Sequence, residues 1–173
     1  MILRDADIRD LVRTVDMLNP FTGACLNSYG YDLCLGKEFK IPKWSKEISV
    51  VDPFEPPEFL SRVTEDFVLI PPGGFVLGHS KEYVRMPGNV TGICLGRSTY
   101  ARAGVLVHVT PLEAGWEGVV TIEISNTGSL PVKVWVDRGI TQVIFFRGEY
   151  PLRDYVSKGG RYQGQTGVTQ GRP

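Results

Sequence analysis

The sequence predicts a mainly β domain, a distorted barrel or a sandwich, that begins with one helix. Two observations carry this prediction. Apolar residues recur at helical spacing at the start of the chain, which is typical of an amphipathic helix. The remainder is a succession of short runs rich in β-branched and aromatic residues, separated by turns that contain proline or glycine. Such a succession is typical of all-β folds.

The first two predicted elements are a helix and a strand. The helix is predicted over residues 1–18, with Asp5 as its cap and Asn19-Pro20 as its end. Its apolar stripe consists of Ile8, Leu11, Val12, Val15 and Leu18. Residues 31–36 alternate in the way of a strand. Asp32 lies among apolar residues there, so we expect it either on a solvated face or in an ion pair.

The middle of the chain is expected to form interrupted strands and a hairpin. Residues 37–57 are rich in proline and mixed in charge, which indicates strands broken by an irregular surface excursion. Residues 67–70 and 75–78 are apolar runs joined by Pro-Pro-Gly-Gly, and this arrangement predicts a hairpin-like unit. Residues 82–87 are a further short extended segment.

The last third supplies more strands and a tail. Residues 104–110 are apolar and β-branched, so a buried strand is predicted there. Further strands are predicted over residues 119–126, 132–135 and 140–146. Residues 150–173 are polar and rich in glycine. Because this tail has no core of its own, it can be ordered only by docking on something.

Length and charge limit the possible classes of protein. The 173 residues suit one domain, residues 1–173, with 150–173 as its C-terminal tail. Basic and acidic residues number 19 each, so the net charge is zero. This balance argues against a nucleic-acid or polybasic membrane partner.

Localisation is judged from apolar runs and cysteines. No apolar run approaches membrane-spanning length, and charged residues interrupt the first ten positions. We therefore expect a cytoplasmic protein without a membrane partner. Cys25, Cys34 and Cys94 are odd in number and suit reduced thiols better than a disulfide framework.

Residues 93–102 form the stretch with the clearest chemical pattern. An apolar run ends at Gly96 and is followed by Arg97, Ser98, Thr99 and Arg102. Arginine forks and hydroxyl groups match the oxygens of a phosphate, so the stretch is a candidate anion site. A strand end followed by a solvated turn has the same composition. Because the two arginines are five positions apart, we expect them to serve different tasks.

Carboxylates supply the second candidate group. Glu123 lies in the strand 119–124 and shares a face with Thr121. It is either a solvent-facing residue or a cleft carboxylate whose raised pKa lets it carry protons. Glu113 and Glu117 flank Trp116, and either one accepts a hydrogen bond from a sugar hydroxyl or only solvates the turn.

The sequence lacks the motifs of several classes of enzyme and metal site. The chain has no His-x-Glu followed by Pro-Cys-x-x-Cys, which is the signature of the zinc nucleobase deaminases. His79 and His108 lack metal-ligand spacing with the cysteines. We expect His108 to be a hydrogen-bonded core or cleft residue and not a base. The phosphate-binding P-loop and the nucleophile elbow are also missing from the sequence.

Six blocks of this sequence, taken in order, resemble the bacterial dCTP deaminases. They are residues 28–32 (Ser-Tyr-Gly-Tyr-Asp), 96–102 (Gly-Arg-Ser-Thr-Tyr-Ala-Arg), 109–113 (Val-Thr-Pro-Leu-Glu), 116–118 (Trp-Glu-Gly), 120–127 (Val-Thr-Ile-Glu-Ile-Ser-Asn-Thr) and 161–169 (Arg-Tyr-Gln-Gly-Gln-Thr-Gly-Val-Thr). Together they extend over nearly the whole chain. That family shares its fold with the trimeric dUTPases, so the resemblance implies a dUTPase-type distorted barrel with a jelly-roll-like core.

The resemblance also implies a role for each candidate residue. Glu123 matches the catalytic carboxylate, and Ser98 and Arg102 match residues that hold the water and orient that carboxylate. Glu113 matches an acidic residue that binds the deoxyribose 3′-hydroxyl. The implied substrate contacts are Arg97, Ser98 and Thr99 at the triphosphate, Thr110 and Glu113 in the block 109–113, and Tyr155, Arg161, Tyr162 and Gln165 in a flap that closes over the nucleotide.

The implied activity is hydrolytic deamination of dCTP to dUTP and ammonia by a homotrimer whose active sites lie at subunit contacts. Mg²⁺ is expected to arrive on the triphosphate, with no zinc and no metal site of the protein's own. The chemistry of the residues agrees with this. One carboxylate with a pKa near the working pH can move every proton that the reaction requires.

Two other functions stay open at this point. A dUTP diphosphatase, or a bifunctional enzyme that converts dCTP to dUMP and pyrophosphate, would share the fold. The dUTPases carry Asp in the position of Glu113 and a glycine-rich aromatic C-terminal motif, whereas this chain has Gly164-Gln165-Thr166-Gly167. That difference favours deamination. The third possibility is a non-catalytic nucleotide-binding relative, against which Ser98, Arg102 and Glu123 argue.

Overall fold

The computed structural model describes residues 1–44, 50–55 and 57–171. Its helices are α1 Asp5–Val15 and the short α2 Ser98–Ala101, and one 3₁₀ turn covers Gly23–Cys25. The strands are β1 Leu18–Asn19, β2 Leu26–Asn27, β3 Gly30–Cys34, β4 Glu38–Pro42, β5 Phe59–Val63, β6 Phe67–Ile70, β7 Phe75–Arg85, β8 Val90–Gly96, β9 Val105–His108, β10 Glu117–Asn126, β11 Val132–Trp135 and β12 Gly139–Arg147. Within these described ranges, no helix is long and apolar enough to cross a membrane.

The strands form three sheets that share one apolar core. The largest sheet has the order β5-β4-β7-β10-β9, with β1 also paired to β7. A four-stranded sheet has the order β2-β3-β12-β8, and β11 pairs with β6 in the third. One core cluster takes side chains from all three sheets, among them Leu33, Ile70, Ile122, Val134 and Phe145. The predicted mainly β architecture with an N-terminal helix is confirmed.

The helix is shorter than predicted at both ends. Its cap is Arg4 and not Asp5, because the Arg4 N–H and guanidinium both donate to the Asp7 carboxylate, at 3.0 and 2.9 Å. Asp16 ends the helix in the left-handed conformation, at φ 52°. Leu18 and Asn19 then pair with β7. Strand pairing therefore takes over where the apolar spacing alone continues the helix.

The predicted hairpin over residues 67–78 is wrong. Strand β6 pairs with β11, and β7 pairs with β10, so the two apolar runs belong to different sheets. At the crossing, Gly73 adopts a φ of +70° and its N–H donates to the Asn126 carbonyl at 2.9 Å. The Asn126 side chain is buried and donates to the carbonyls of Ile70 and Leu130. A buried amide therefore holds the two sheets at this point.

Two further predictions about strands need correction. The predicted buried strand 104–110 is β9, the edge strand of the large sheet, and only Val105 in it is fully buried while Leu106 is 47% exposed. Most of the separate extended segment predicted at 82–87 belongs to the long strand β7, which ends at Arg85. The predicted surface excursion begins after β4 and ends before β5, and residues 45–49 and 56 of it lie outside the described residues.

Candidate active site

A cleft of about 690 Å³ lies between strand β10, the turn before it and the C-terminal tail. Its lining residues are Val109, Thr110, Pro111, Leu112, Glu113, Trp116, Val120, Thr121, Glu123, Tyr155, Tyr162, Gln165, Thr169, Gln170 and Gly171. The structure therefore brings Glu123 together with Thr110, Glu113 and three of the four predicted flap residues.

Glu123 is placed in the cleft by the alternation of β10. Its neighbours Ile122 and Ile124 are fully buried on the core side, so the Glu123 side chain points the other way with Thr121. Burial raises the pKa of the Glu123 carboxyl above its ordinary value, and the charge of His108 opposes that rise. His108 is the register partner of Glu123 on β9 and is exposed. Of the two positions that the sequence left open for His108, the exposure rules out the core, and the residue lies beside the carboxylate of the cleft.

The tail docks along the first half of β10. The Trp116 indole donates to the Tyr162 carbonyl at 3.0 Å, and the Val119 N–H donates to the Gln165 carbonyl at 2.9 Å. Gly118 makes this approach possible, because a Cβ there would lie 3.0 Å from atoms of Gln165. The tail is therefore ordered by docking, as expected, and it docks on strand β10 of the same chain.

Among the cleft residues that the sequence analysis did not predict, three belong to the tail. Thr169, Gln170 and Gly171 line the cleft at the end of the described tail. The Thr121 hydroxyl accepts hydrogen bonds from the Gln165 amide at 3.4 Å and from the Thr169 N–H at 3.2 Å. Strand alternation had placed Thr121 on the same face as Glu123, and this was the sequence signal that indicated a contact beside the carboxylate.

One hydrogen bond within the tail and one ion pair to the cleft hold the tail in place. The Tyr155 hydroxyl accepts a hydrogen bond from the Tyr162 N–H at 3.0 Å. Lys158 forms an ion pair with Glu113, which lies half exposed in the cleft. Their separation of 45 residues hid this pair from sequence reasoning. Arg161 lines a second cavity of about 330 Å³ formed by tail residues 161–169.

The predicted triphosphate and water-binding residues do not line this cleft in the same chain. Arg97 caps the short helix α2, and Ser98, Thr99 and Arg102 are exposed around it. The two arginines do differ in their surroundings. Arg97 forms an ion pair with Asp32, which is 5% exposed, whereas Arg102 is exposed at the end of α2.

Asp32 is held from both sides. Besides its ion pair with Arg97, it accepts a hydrogen bond from the Asn27 amide at 3.0 Å. Of the two interpretations that the sequence left open for Asp32, the ion pair is the one observed. This buried carboxylate fixes the position of the first arginine of the anion motif.

Across residues 1–44, 50–55 and 57–171, no three His, Cys, Asp or Glu side chains are grouped so that they could hold a metal ion. Cys25, Cys34 and Cys94 are free thiols, and the first two lie close together.

Comparison with solved structures identifies the fold. The crystal structure of 2′-deoxycytidine 5′-triphosphate deaminase from Agrobacterium tumefaciens matches with a TM-score of 0.70 at 20% identity, over 85% of this chain and 48% of that one. The present chain thus spans about half the length of that protein. A dUTPase from phage phi11 of S. aureus matches with a TM-score of 0.52 at 12% identity, over 78% of this chain and 86% of that one. The dUTPase-type fold is confirmed.

Sequence comparison identifies the family. The dCTP deaminase-like family model matches residues 2–148. A dCTP deaminase of Herpetosiphon aurantiacus is 51% identical over 147 residues, which cover 83% of this chain and 79% of the relative. A dCTP deaminase of Gluconobacter oxydans is 43% identical over 183 residues, which cover 99% of this chain and 98% of the relative. The chain belongs to the dCTP deaminase-like family.

Proposed function

We propose that this protein hydrolyses dCTP to dUTP and ammonia. The observation that carries the proposal is Glu123, a half-buried carboxylate with a raised pKa in a cleft large enough for a nucleotide. Membership of the dCTP deaminase-like family, with relatives of that name that align over nearly the whole chain, supports the same reaction.

The reaction moves two protons of the attacking water, and Glu123 is suited to carry both. As a base it takes a proton from water, whose oxygen attacks C4 of the cytosine, and it delivers this proton to N3. It then takes the proton of the new C4 hydroxyl and delivers it to the departing amino group, so that water and dCTP yield dUTP and ammonia. A carboxyl with a raised pKa exchanges protons readily near neutral pH. Glu123 therefore ends each turnover ready for the next.

We infer that a second copy of the chain completes the site. Ser98 and Arg102, which are expected to hold the water and orient Glu123, are exposed away from the cleft of their own chain. Strands β8 and β9 also expose apolar side chains, with Ile93 46%, Leu95 52% and Leu106 47% accessible. A homotrimer with sites at subunit contacts would cover such a surface and bring the two sets of residues together.

The remaining predicted residues are assigned to substrate binding. Arg97, Ser98 and Thr99 bind the triphosphate, which carries Mg²⁺ as part of the substrate. Thr110 and Glu113 line the cleft beside Glu123, where Glu113 receives the sugar 3′-hydroxyl. The flap, within the tail 150–173, contributes Tyr155, Arg161, Tyr162 and Gln165. The cytoplasmic location stays a prediction.

Product analysis tests the proposal. Purified protein is incubated with dCTP and Mg²⁺, and dUTP, dUMP and pyrophosphate are separated by anion exchange while ammonia is assayed enzymatically. We expect dUTP and ammonia in equal amounts without pyrophosphate. Formation of dUMP and pyrophosphate from dCTP would replace the proposal with the bifunctional reaction. Hydrolysis of added dUTP without any turnover of dCTP would replace it with a dUTP diphosphatase.

A further inference from the structure

Two thiols that the proposed function does not use lie side by side. Cys25 ends the 3₁₀ turn Gly23–Cys25, and Cys34 ends strand β3. Their Sγ atoms are 3.6 Å apart. A disulfide has an S–S distance of about 2.05 Å, so the sulfur atoms need to approach by roughly 1.5 Å. Cys25 is partly exposed and Cys34 is buried, so a small oxidant in solution meets Cys25 first.

A buried carboxyl group completes the cluster. Glu82, on β7, is 1% exposed and accepts a hydrogen bond from the Cys34 N–H at 2.9 Å. Burial raises the pKa of Glu82 to about 7. Burial and the charge of Glu82 raise the pKa of Cys34 to about 12. At neutral pH the cluster therefore holds a buried thiol beside a group that can accept its proton.

We propose that Cys25 and Cys34 are a redox-modification site, which a hydroperoxide converts to an intramolecular disulfide with Glu82 as the proton acceptor for Cys34. This inference is independent of the proposed deaminase activity, because none of the three residues lines the cleft.

The chemistry proceeds in two balanced steps. The Cys25 thiolate attacks one oxygen of the hydroperoxide, which breaks the O–O bond and leaves Cys25 as a sulfenic acid, with an alcohol or water as the reduced product. Cys34 then gives its proton to Glu82, and its sulfur attacks the Cys25 sulfur. The departing hydroxide takes the proton from Glu82 to form water. Two thiols have lost two electrons, and the hydroperoxide has gained them.

The geometry favours the second step over further oxidation. Because the two sulfur atoms are already in contact, the second step is intramolecular and gains from proximity. The third thiol, Cys94, belongs to β8, which β12 separates from β3. Burial raises its pKa to about 12. Cys94 is therefore an internal control that should stay reduced.

The test uses hydrogen peroxide on the reduced full-length protein. After acid quenching, free thiols are alkylated under denaturing conditions and the intact mass is measured. We expect loss of two hydrogens and a single alkylation, at Cys94, with full reversal by dithiothreitol. Three alkylated thiols, or oxygen addition without a disulfide between Cys25 and Cys34, would overturn the proposal.

Matched variants separate the two steps. In Cys34→Ser, Cys25 should accumulate as a sulfenic acid that dimedone traps, whereas Cys94→Ser should form the disulfide at the wild-type rate. Glu82→Gln should slow disulfide closure about tenfold or more, since the amide cannot accept the proton. Closure at the wild-type rate in folded Glu82→Gln would remove Glu82 from the mechanism. Absence of dimedone labelling in Cys34→Ser would contradict attack at Cys25.

Discussion

Glu123 and Glu82 lie on neighbouring strands of the same sheet, and burial raises the pKa of both carboxyl groups. Their surroundings differ. Glu123 lines the cleft and faces His108 across the strand pair. Glu82 is sealed in the core, where it joins β7 to the backbone of β3 through Cys34. A raised pKa is therefore useful for turnover only where a substrate can reach the carboxyl group.

The largest effect expected from a change outside the cleft concerns Arg102. We expect Arg102→Ala to lower kcat by about a hundredfold or more, because Glu123 would lose the cation that we propose orients it. Lys133→Ala, which removes an exposed cation elsewhere, is the matched control and should change kcat by less than about twofold. Steady-state assays with dCTP measure both variants.

Mixing of two inactive variants tests whether Glu123 and Arg102 of one site come from different subunits. If Glu123 and Arg102 of one site come from different copies, co-refolded Glu123→Gln and Arg102→Ala chains should regain about a quarter of the wild-type sites. Such recovery would show that the cleft depends on a neighbour. Refolded mixtures that stay inactive would instead place both residues of a site in one chain.

Removal of the tail should produce a smaller loss. A chain that stops after Arg161 lacks the contacts of Gln165 with Val119 and of Thr169 with Thr121. We expect kcat/KM to fall about tenfold, with KM raised and kcat lowered together, as for a flap that excludes water. Leu152→Ala, at a fully exposed tail position, should leave both constants unchanged. Normal kinetics in the truncated chain would reduce the tail to a surface extension.

Glu82 should affect stability and not turnover. The pKa of Glu82 is about 7 in the folded state, whereas the ordinary value of 4.5 applies to the unfolded chain. The folded state therefore binds the proton more tightly than the unfolded state. The resulting stabilisation is present below about pH 4.5 and is lost as the pH rises to about 7. Between pH 5 and 8 the loss amounts to roughly 2 to 3 kcal/mol.

Urea unfolding at the two pH values measures this contribution. Glu82→Gln should show a much smaller fall in stability between pH 5 and 8, while the exposed Glu149→Gln should behave as the wild type. Deamination by Glu82→Gln should stay within about twofold of normal. An equal pH dependence in wild type and Glu82→Gln would show that Glu82 does not titrate in this range.

Lys158 is expected to give the smallest effect. Its ion pair with Glu113 is half exposed, and such pairs contribute little, so Lys158→Ala should raise KM for dCTP about twofold to fivefold. Because Glu113 is expected to receive the 3′-hydroxyl, the variant should have no effect on KM for 2′,3′-dideoxycytidine triphosphate. An equal rise for both nucleotides would indicate that Lys158 only fastens the tail.

The sequence was informative where a residue's role depends on its near neighbours. Alternation alone put Glu123 and Thr121 on one face of β10, and the structure agrees. The hairpin at residues 67–78 failed because strand pairing is decided by distant residues, here Asn126 and β11. The same reason hid the exposure of β9, since an edge strand and a central strand can have equal composition.

Long-range pairs within the site were also beyond sequence reasoning. Lys158 meets Glu113 across 45 residues, and Arg97 meets Asp32 across the sheet. Cys25 and Cys34 are nine positions apart, yet only the fold of the 3₁₀ turn against β3 brings their sulfur atoms into contact. The separation of two residues along the sequence does not predict such contacts, because they depend on how whole helices and strands pack together.

A comparison of Glu123→Gln with Glu117→Gln tests the role of Glu123 directly. Both residues lie on β10, but Glu117 does not line the cleft. Formation of dUTP is measured by anion exchange, and dCTP binding is measured by calorimetry on the same samples. We predict that Glu123→Gln binds dCTP but loses at least about a thousandfold in kcat, while Glu117→Gln keeps both properties. Near-normal deamination by Glu123→Gln would show that this carboxylate does not move the protons.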